Sequence, residues 1–495
     1  MAEPDNATRL VESATYRKGR DVQRKQGLSM ARIVIIGGGP AGYEAALVAA
    51  QLDAEVTIVE SDGAGGACVL YDCVPSKTFI ASSDVVTAFH HGGNLGVRVS
   101  APDAVGLDAA AVYARVKRLA LAQSADIGTK LVKAGVELVH GRARLGEDAL
   151  GHLHQVVVTP TDGAPYTINA TQVLIATGAN PRVLPDAAPD GDRILDWRQV
   201  YDLPELPQRL VVVGSGVTGA EFASAYLAAG VDVTLVSSRD RVMPHEDPDA
   251  AMAIENVFRS RGMTILSNAR ASKVIRTAAG AVVHLADGRT VEASHVLMAV
   301  GSVPNTAGLG LTEYGVEVAQ GGYVTVDRVS RTAVPGVYAA GDCTGVLPLA
   351  SVAAMQGRIA MWHALGEAVA PLRLKTVSAN VFTDPELASV GVSQSDMDSG
   401  RVPARSVILS LSGNARAKMA DVQDGFVKLF CRPASGLVIG GVVVAPKASE
   451  LILPISLAVE NHLTVSQLAH TITIYPSLSG SIAEAARQLM RHEFE

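Results

Sequence analysis

Glycines at the first, third and sixth places of a hexapeptide can build a phosphate cradle. This chain has two such hexapeptides, Gly37-Gly38-Gly39-Pro40-Ala41-Gly42 and Gly214-Ser215-Gly216-Val217-Thr218-Gly219. The first glycine of each, Gly37 or Gly214, permits a tight turn. The next, Gly39 or Gly216, lets the backbone approach a pyrophosphate. The last, Gly42 or Gly219, lets a helix lie close against a strand. The free N–H groups and positive dipole end of that helix then face the phosphates. A carboxylate is expected about 20 residues further on, against a ribose hydroxyl. Glu60 stands 18 residues past Gly42, so the first turn reads as a site for an adenosine with a free 2′-hydroxyl, as in FAD or NAD. In the second turn that place, 18 past Gly219, is Ser237, followed by Ser238, Arg239 and Arg241. A carboxylate would repel a 2′-phosphate, whereas hydroxyl and guanidinium groups can bond one. The second site is expected to accept NADPH and to prefer it over NADH. The alternative is that Arg239 and Arg241 are solvated loop charges and NADH serves equally well.

Such turns need a strand before them and a helix after. Apolar strand patterns cover 33–36 and 56–59, with a helix over 43–50 between them and Glu60 at the end. The second copy repeats this with strands over 210–213 and 233–236, a helix over 220–229 and Ser237 at the end. A lone glycine pattern is weak, but strand, turn, helix and strand within about 30 residues is the context that confirms it. The fold class is therefore α/β with two Rossmann-like units.

The remaining composition narrows the field. A length of 495 residues suggests about three domains. With 48% hydrophobic and 18% charged residues the chain is globular. A net charge of −7 without a basic block argues against nucleic acid and anionic membrane surfaces as partners. No apolar run reaches the roughly 18 residues of an integral membrane segment. The longest, 436–446 and 451–459, read as a buried strand and a buried helix. Residues 1–29 are polar with no apolar signal core. They are expected to be a disordered extension on a cytoplasmic protein. No metal site is expected. Four cysteines (Cys68, Cys73, Cys343, Cys431) make no secreted disulfide framework, and Cys431 sits in a core strand pattern.

The two turns together with Gly65-Gly66-Ala67-Cys68-Val69-Leu70-Tyr71-Asp72-Cys73-Val74-Pro75-Ser76-Lys77 resemble the flavoprotein disulfide reductases, the class I pyridine nucleotide-disulfide oxidoreductases. Further matches are Ala176-Thr177-Gly178, Ala299-Val300-Gly301, Gly336-Val337-Tyr338-Ala339-Ala340-Gly341-Asp342, Val381-Phe382-Thr383-Asp384-Pro385-Glu386 and Ala448-Ser449-Glu450-Leu451. The resemblance spans residues 31 to 490. It implies FAD bound by the first unit with Thr177, Gly178, Gly341 and Asp342, the last on the ribityl chain. It implies NAD(P)H bound by the second unit with Gly301. The implied layout is an FAD domain over 30–180, an NAD(P) domain over 181–304, a second FAD or central part over 305–373, and a C-terminal α+β dimerisation domain over 374–495 that makes a homodimer. Lys77 matches the lysine near flavin N5 and Glu221 its carboxylate partner; a cation there stabilises reduced flavin. Cys68 and Cys73 match the redox-active disulfide pair; the alternative is two buried thiols.

One stretch departs from the pattern. Thiol chemistry in the family uses a histidine oriented by a glutamate, in a stretch reading His-Pro-Thr-x-x-Glu. Here the residues are Tyr475-Pro476-Ser477-Leu478-Ser479-Gly480. A phenol, losing its proton near about pH 10, is a poor base at neutrality. His470 lies five residues upstream as a remote substitute. Electron entry is thus expected to be intact and the thiol exit disabled, leaving an acceptor that needs no disulfide exchange. A small-molecule quinone fits, with Tyr475 lining its pocket. The closest resemblance is to lipoamide-dehydrogenase-like NAD(P)H-quinone dehydrogenases. A soluble transhydrogenase, a reductase of dihydrolipoamide or another disulfide, and a non-catalytic FAD-binding sensor are the alternatives.

Overall fold

The computed structural model describes residues 30–98, 105–146 and 153–490. The expected N-terminal extension lies outside them. Strands form where β-branched residues cluster. Arg32–Ile36 and Glu55–Glu60 are almost wholly buried and pair in parallel, with Ile33 against Val56 and Ile35 against Ile58. They lie inside a seven-stranded sheet. Its order is Val337–Ala339, Gln172–Ile175, Arg32–Ile36, Glu55–Glu60, Glu137–Leu145, His154–Pro160, Tyr166–Ala170. The first five strands are parallel and the last two continue as an antiparallel extension. Helices Pro40–Gln51 and Ala350–Ala364 pack closely on one another against this sheet.

The second unit is a five-stranded parallel sheet ordered Thr264–Leu266, Asp232–Val236, Arg209–Val213, His295–Met298, Ile194–Leu195. A three-stranded antiparallel sheet over residues 271–293 joins its core. The chain enters this region through Ala179–Pro181 and leaves it through Ser302–Pro304. These two strands pair with each other as a ribbon. The C-terminal part is a five-stranded antiparallel sheet, ordered Ser378–Val381, Glu386–Gly391, Val438–Ala445, Phe426–Cys431, Arg405–Ser410, with helices Ala448–Glu460, Val465–His470 and Gly480–Met490 packed beside it. The architecture is the expected one: α/β with two dinucleotide-type units followed by an α+β unit.

Local differences have physical causes. Both glycine-turn helices start three residues earlier than the apolar period indicates, at Pro40 and Val217. The glycine before each is extended, and Pro40 occupies the first helical place, where its missing N–H costs nothing. The apolar run at 451–459 belongs to the helix Ala448–Glu460, which buries Ile452 and Ile455 but exposes Leu453 and Leu457. Among the described residues no helix is long and apolar enough to cross a membrane. None of their His, Cys, Asp and Glu side chains cluster in threes that could hold a metal ion.

Candidate active site

The first turn is shaped by contacts that only glycine permits. Gly37 has φ +105°, and a Cβ there would stand 2.3 Å from the Ala176 carbonyl oxygen. A Cβ on Gly42 would stand 1.9 Å from the Gly37 oxygen, so helix and strand touch through it. A Cβ on Gly39 would meet no protein atom within 4 Å. That unfilled space above a helix N-terminus suits a pyrophosphate. It opens into a cavity of about 820 Å³ lined by Gly37, Gly39, Pro40, Ala41, Glu60, Thr177, Gly178, Gly341 and Asp342. Gly42 is not among the residues that line it. Glu60 is held ready: its carboxylate accepts from the Gly38 N–H at 2.5 Å and from the Asp62 N–H at 2.8 Å. Burial pushes the Asp342 carboxyl above the usual range. Cradle, ribose carboxylate and volume fit a flavin dinucleotide.

Cys68 and Cys73 line the same cavity. Both are free thiols. Cys73 opens the helix Cys73–His91, which carries Lys77 one turn further on. The Cys68 contact, burial and the Asp72 carboxylate push the Cys73 thiol far above the ordinary thiol range, against an opposing pull from Lys77. Lys77 Nζ donates to Glu221 Oε2 at 2.8 Å and lies 4.9 Å from the centre of the Phe382 ring. Glu221 is on the second glycine helix and is 4% exposed; its other oxygen accepts from the Phe382 N–H at 2.9 Å. One ion pair thus ties the first unit to the second, and the C-terminal sheet braces it. Burial alone would lower the Lys77 ammonium, but Glu221, Cys73 and Asp72 outweigh it and raise it above the ordinary lysine range.

The second turn repeats the geometry. Gly214 has φ +111° with a Cβ position 2.2 Å from the Ala299 oxygen. A Cβ on Gly219 would stand 1.8 Å from the Gly214 oxygen, and those on Gly216 and Gly301 would meet nothing within 4 Å. Ser238 and Arg239 are exposed beside this turn. Ser237 is fully buried, in a 2.7 Å bond with the Ser215 hydroxyl and within 3.1 Å of the Arg239 N–H. Its hydroxyl also bonds the Arg239 and Arg241 carbonyls, which fixes the loop around it.

Tyr475 is 85% exposed, on an arm with Ile472 at 98% and Ile474 at 81%. It does not join the other site residues within one protomer. His470 bonds the Ser466 carbonyl within its own helix. Residues that the motifs did not single out also line the cavity: Asp72, Trp197, Arg198 and Asn305. Arg198 pairs with Asp62 at 3.0 Å and stacks over the Tyr71 ring at 4.0 Å. Only Asp72 carried a sequence signal, as the charged neighbour of Cys73.

Residues 31–357 match the family model described as pyridine nucleotide-disulphide oxidoreductase, and residues 377–486 match that family's dimerisation domain. This chain belongs to the pyridine nucleotide-disulphide oxidoreductase family. As a member it is a flavoprotein oxidoreductase that uses FAD and NAD(P)H, and it carries a dimerisation domain. It is 59% identical over 466 residues to the NAD(P)H dehydrogenase (quinone) of Mycobacterium tuberculosis, covering 93% of this chain and 94% of that protein. It is 33% identical to the dihydrolipoyl dehydrogenase of Chlorobaculum tepidum, over 92% of this chain and 96% of that one. The crystal structure of LpdA from Mycobacterium tuberculosis superposes with a TM-score of 0.89 at 58% identity, covering 93% of this chain and 100% of LpdA. The flavoprotein disulfide reductase RclA from Escherichia coli shares the fold, with a TM-score of 0.81 at 24% identity over 92% and 99% of the two chains.

Proposed function

We propose that this enzyme oxidises NAD(P)H, preferring NADPH, and delivers the electrons to a quinone, with FAD as the carrier between them. The observation that carries the reading is the Lys77–Glu221 pair, in place beside the cavity and braced by Phe382; the sequence supports it by having Tyr475 at the place that the family resemblance gives to the thiol-exchange histidine. The similarity to a protein itself named NAD(P)H dehydrogenase (quinone) supports it.

Each residue has a physical task. The Lys77 ammonium, fixed by Glu221, sets a positive charge where a reduced ring system gathers negative charge. Glu221 keeps that charge from wandering, since both of its oxygens are engaged. Glu60 and the Gly39 cradle hold the adenosine and pyrophosphate of one dinucleotide. Gly216, Ser238 and Arg239 receive the other, Arg239 facing its 2′-phosphate. The arm bearing Tyr475 reaches into a second copy of the chain in a homodimer, where the phenol donates a hydrogen bond to a quinone oxygen. Its exposure on a single protomer supports this. NADPH oxidation followed with a naphthoquinone, lipoamide, oxidised glutathione and a thio-NAD analogue tests the reading. Fast turnover is expected with the naphthoquinone alone; comparable turnover with lipoamide would overturn it.

A further inference from the structure

Arg198 follows Ile194–Leu195, the edge strand of the second sheet, yet its side chain reaches the first unit. Its backbone is held on both sides. Trp197 packs in the core, and the Arg198 N–H donates to Asp196 Oδ1 at 2.8 Å. From there the guanidinium takes three partners at once. Nη2 donates to Asp62 Oδ2 at 3.0 Å, Nη1 donates to Asn180 Oδ1 at 2.9 Å, and the guanidinium carbon lies 4.0 Å from the centre of the Tyr71 ring. A planar fork can bond and stack together in this way, whereas an ammonium cannot. Asp62, Asn180 and Arg198 all line the large cavity.

The places of the three partners give the contact its meaning. Asp62 and Tyr71 stand at the two ends of the segment that carries Cys68. That segment rests on the first glycine turn: the Gly65 N–H donates to the Gly38 carbonyl at 2.8 Å, and a Cβ on Gly66 would stand 2.9 Å from the Gly39 Cα. The Tyr71 side chain leans on the core, so the end it holds is anchored. Asn180 belongs to the ribbon through which the chain enters the second unit. One side chain thus grips both ends of a wall beside the pyrophosphate cradle and fastens them to the ribbon. We propose that Arg198 is a positioning residue that latches FAD in place: the cofactor leaves only when the guanidinium lets go of Asp62, Tyr71 and Asn180. The latch does not depend on which acceptor the enzyme uses. The ion pair is partly exposed, so water screens it, and a cation over a half-buried ring is a modest contact. Each alone slows release no more than a few-fold, but all must part in one opening step, so their effects combine in the release rate.

The measurement is the exchange of bound FAD for an excess of isotope-labelled FAD, below the melting transition, read by mass spectrometry of the protein-bound flavin. Arg198→Ala is expected to exchange about tenfold faster than the parent, equivalent to about 1.4 kcal/mol. Arg198→Lys keeps the charge beside Asp62 but loses the stack and the fork, and should fall between the two. Tyr71→Leu leaves the ion pair and should also fall between them, which tests the latch without touching Arg198. Arg261→Ala is the control. Arg261 pairs with Asp384 at 2.8 Å, about as exposed as the Arg198 pair, and ties the second unit to the C-terminal sheet without lining the cavity. It should exchange FAD at the parent's rate. An Arg198→Ala or Tyr71→Leu variant that exchanges like the parent would overturn the proposal. So would an Arg261→Ala variant as fast as Arg198→Ala, since any loosening of the second unit would then suffice.

Discussion

Replacing Gly216 by alanine separates what the nucleotide needs from what the fold needs. Gly216 is extended, with φ −71° and ψ −173°, a conformation that alanine adopts freely. A Cβ there meets no protein atom within 4 Å. The variant should therefore fold as the parent does, with stability changed by no more than about 0.5 kcal/mol. The new methyl group would occupy the space over the helix N-terminus and push a pyrophosphate off the backbone N–H groups. A hydrogen bond to a charged group contributes roughly 1.5–3 kcal/mol. The Kd for NADPH should rise about ten- to a hundredfold. Gly219→Ala inverts the pattern, because its Cβ would lie 1.8 Å from the Gly214 oxygen. Helix and strand must separate, at a cost of about 1–3 kcal/mol or more, so the melting temperature falls by several degrees. Titration calorimetry with NADPH on the prereduced holoenzymes, in the absence of oxygen and quinone, and thermal melting measure the two effects. If Gly216→Ala binds NADPH as tightly as the parent, or melts as low as Gly219→Ala, this turn is not a pyrophosphate cradle.

Lys77→Met should slow flavin reduction by NADPH about a hundredfold in stopped flow, the scale seen when one preorganised charge is removed; an unchanged rate would remove Lys77 from the mechanism. Arg239→Ala should raise KM for NADPH by about tenfold and leave KM for NADH as it was, since one charged contact to a phosphate is lost; equal effects on both nucleotides would make Arg239 a general loop charge. Lys428 is 1% exposed and lies 2.8 Å from Asp247 and 2.7 Å from Asp249. Lys428→Met strands a buried carboxylate, so the urea midpoint should fall by the equivalent of about 3–5 kcal/mol; a shift under about 1 kcal/mol would mean water reaches the pair.

The glycine turns were legible because their requirement is steric and local. Gly37, Gly42, Gly214 and Gly219 each face a backbone oxygen that no side chain could approach. The place of Glu60 at the end of its strand was legible from its distance along one βαβ unit. The Lys77–Glu221 contact was not, since 144 residues separate the pair and only the family resemblance joined them. The same holds for Lys428, which reads as a polar residue in an apolar strand until the fold sets it against Asp247. The bonds of Ser237 to the Ser215 hydroxyl and the Arg239 N–H were not legible either, since they depend on how the loop folds back on the glycine turn. The helix starts were missed because the glycine turns are themselves the first helical turn, and hydrophobic periodicity begins only after it.

The order of strands in the larger sheet bears on how the chain is made. The strand Val337–Ala339 pairs with Gln172–Ile175, and everything between them, including the whole second glycine unit, must be synthesised first. The seven-stranded sheet therefore cannot close on the ribosome until residue 339 has emerged. The intervening region, with its ends joined by the ribbon of Ala179–Pro181 and Ser302–Pro304, has only local pairings to satisfy. Contacts between distant segments are the slow ones to form, and domains tend to fold as units during synthesis. The intervening unit should thus be complete while the seven-stranded sheet is still an open edge, which makes that edge the point where a prematurely released chain would aggregate.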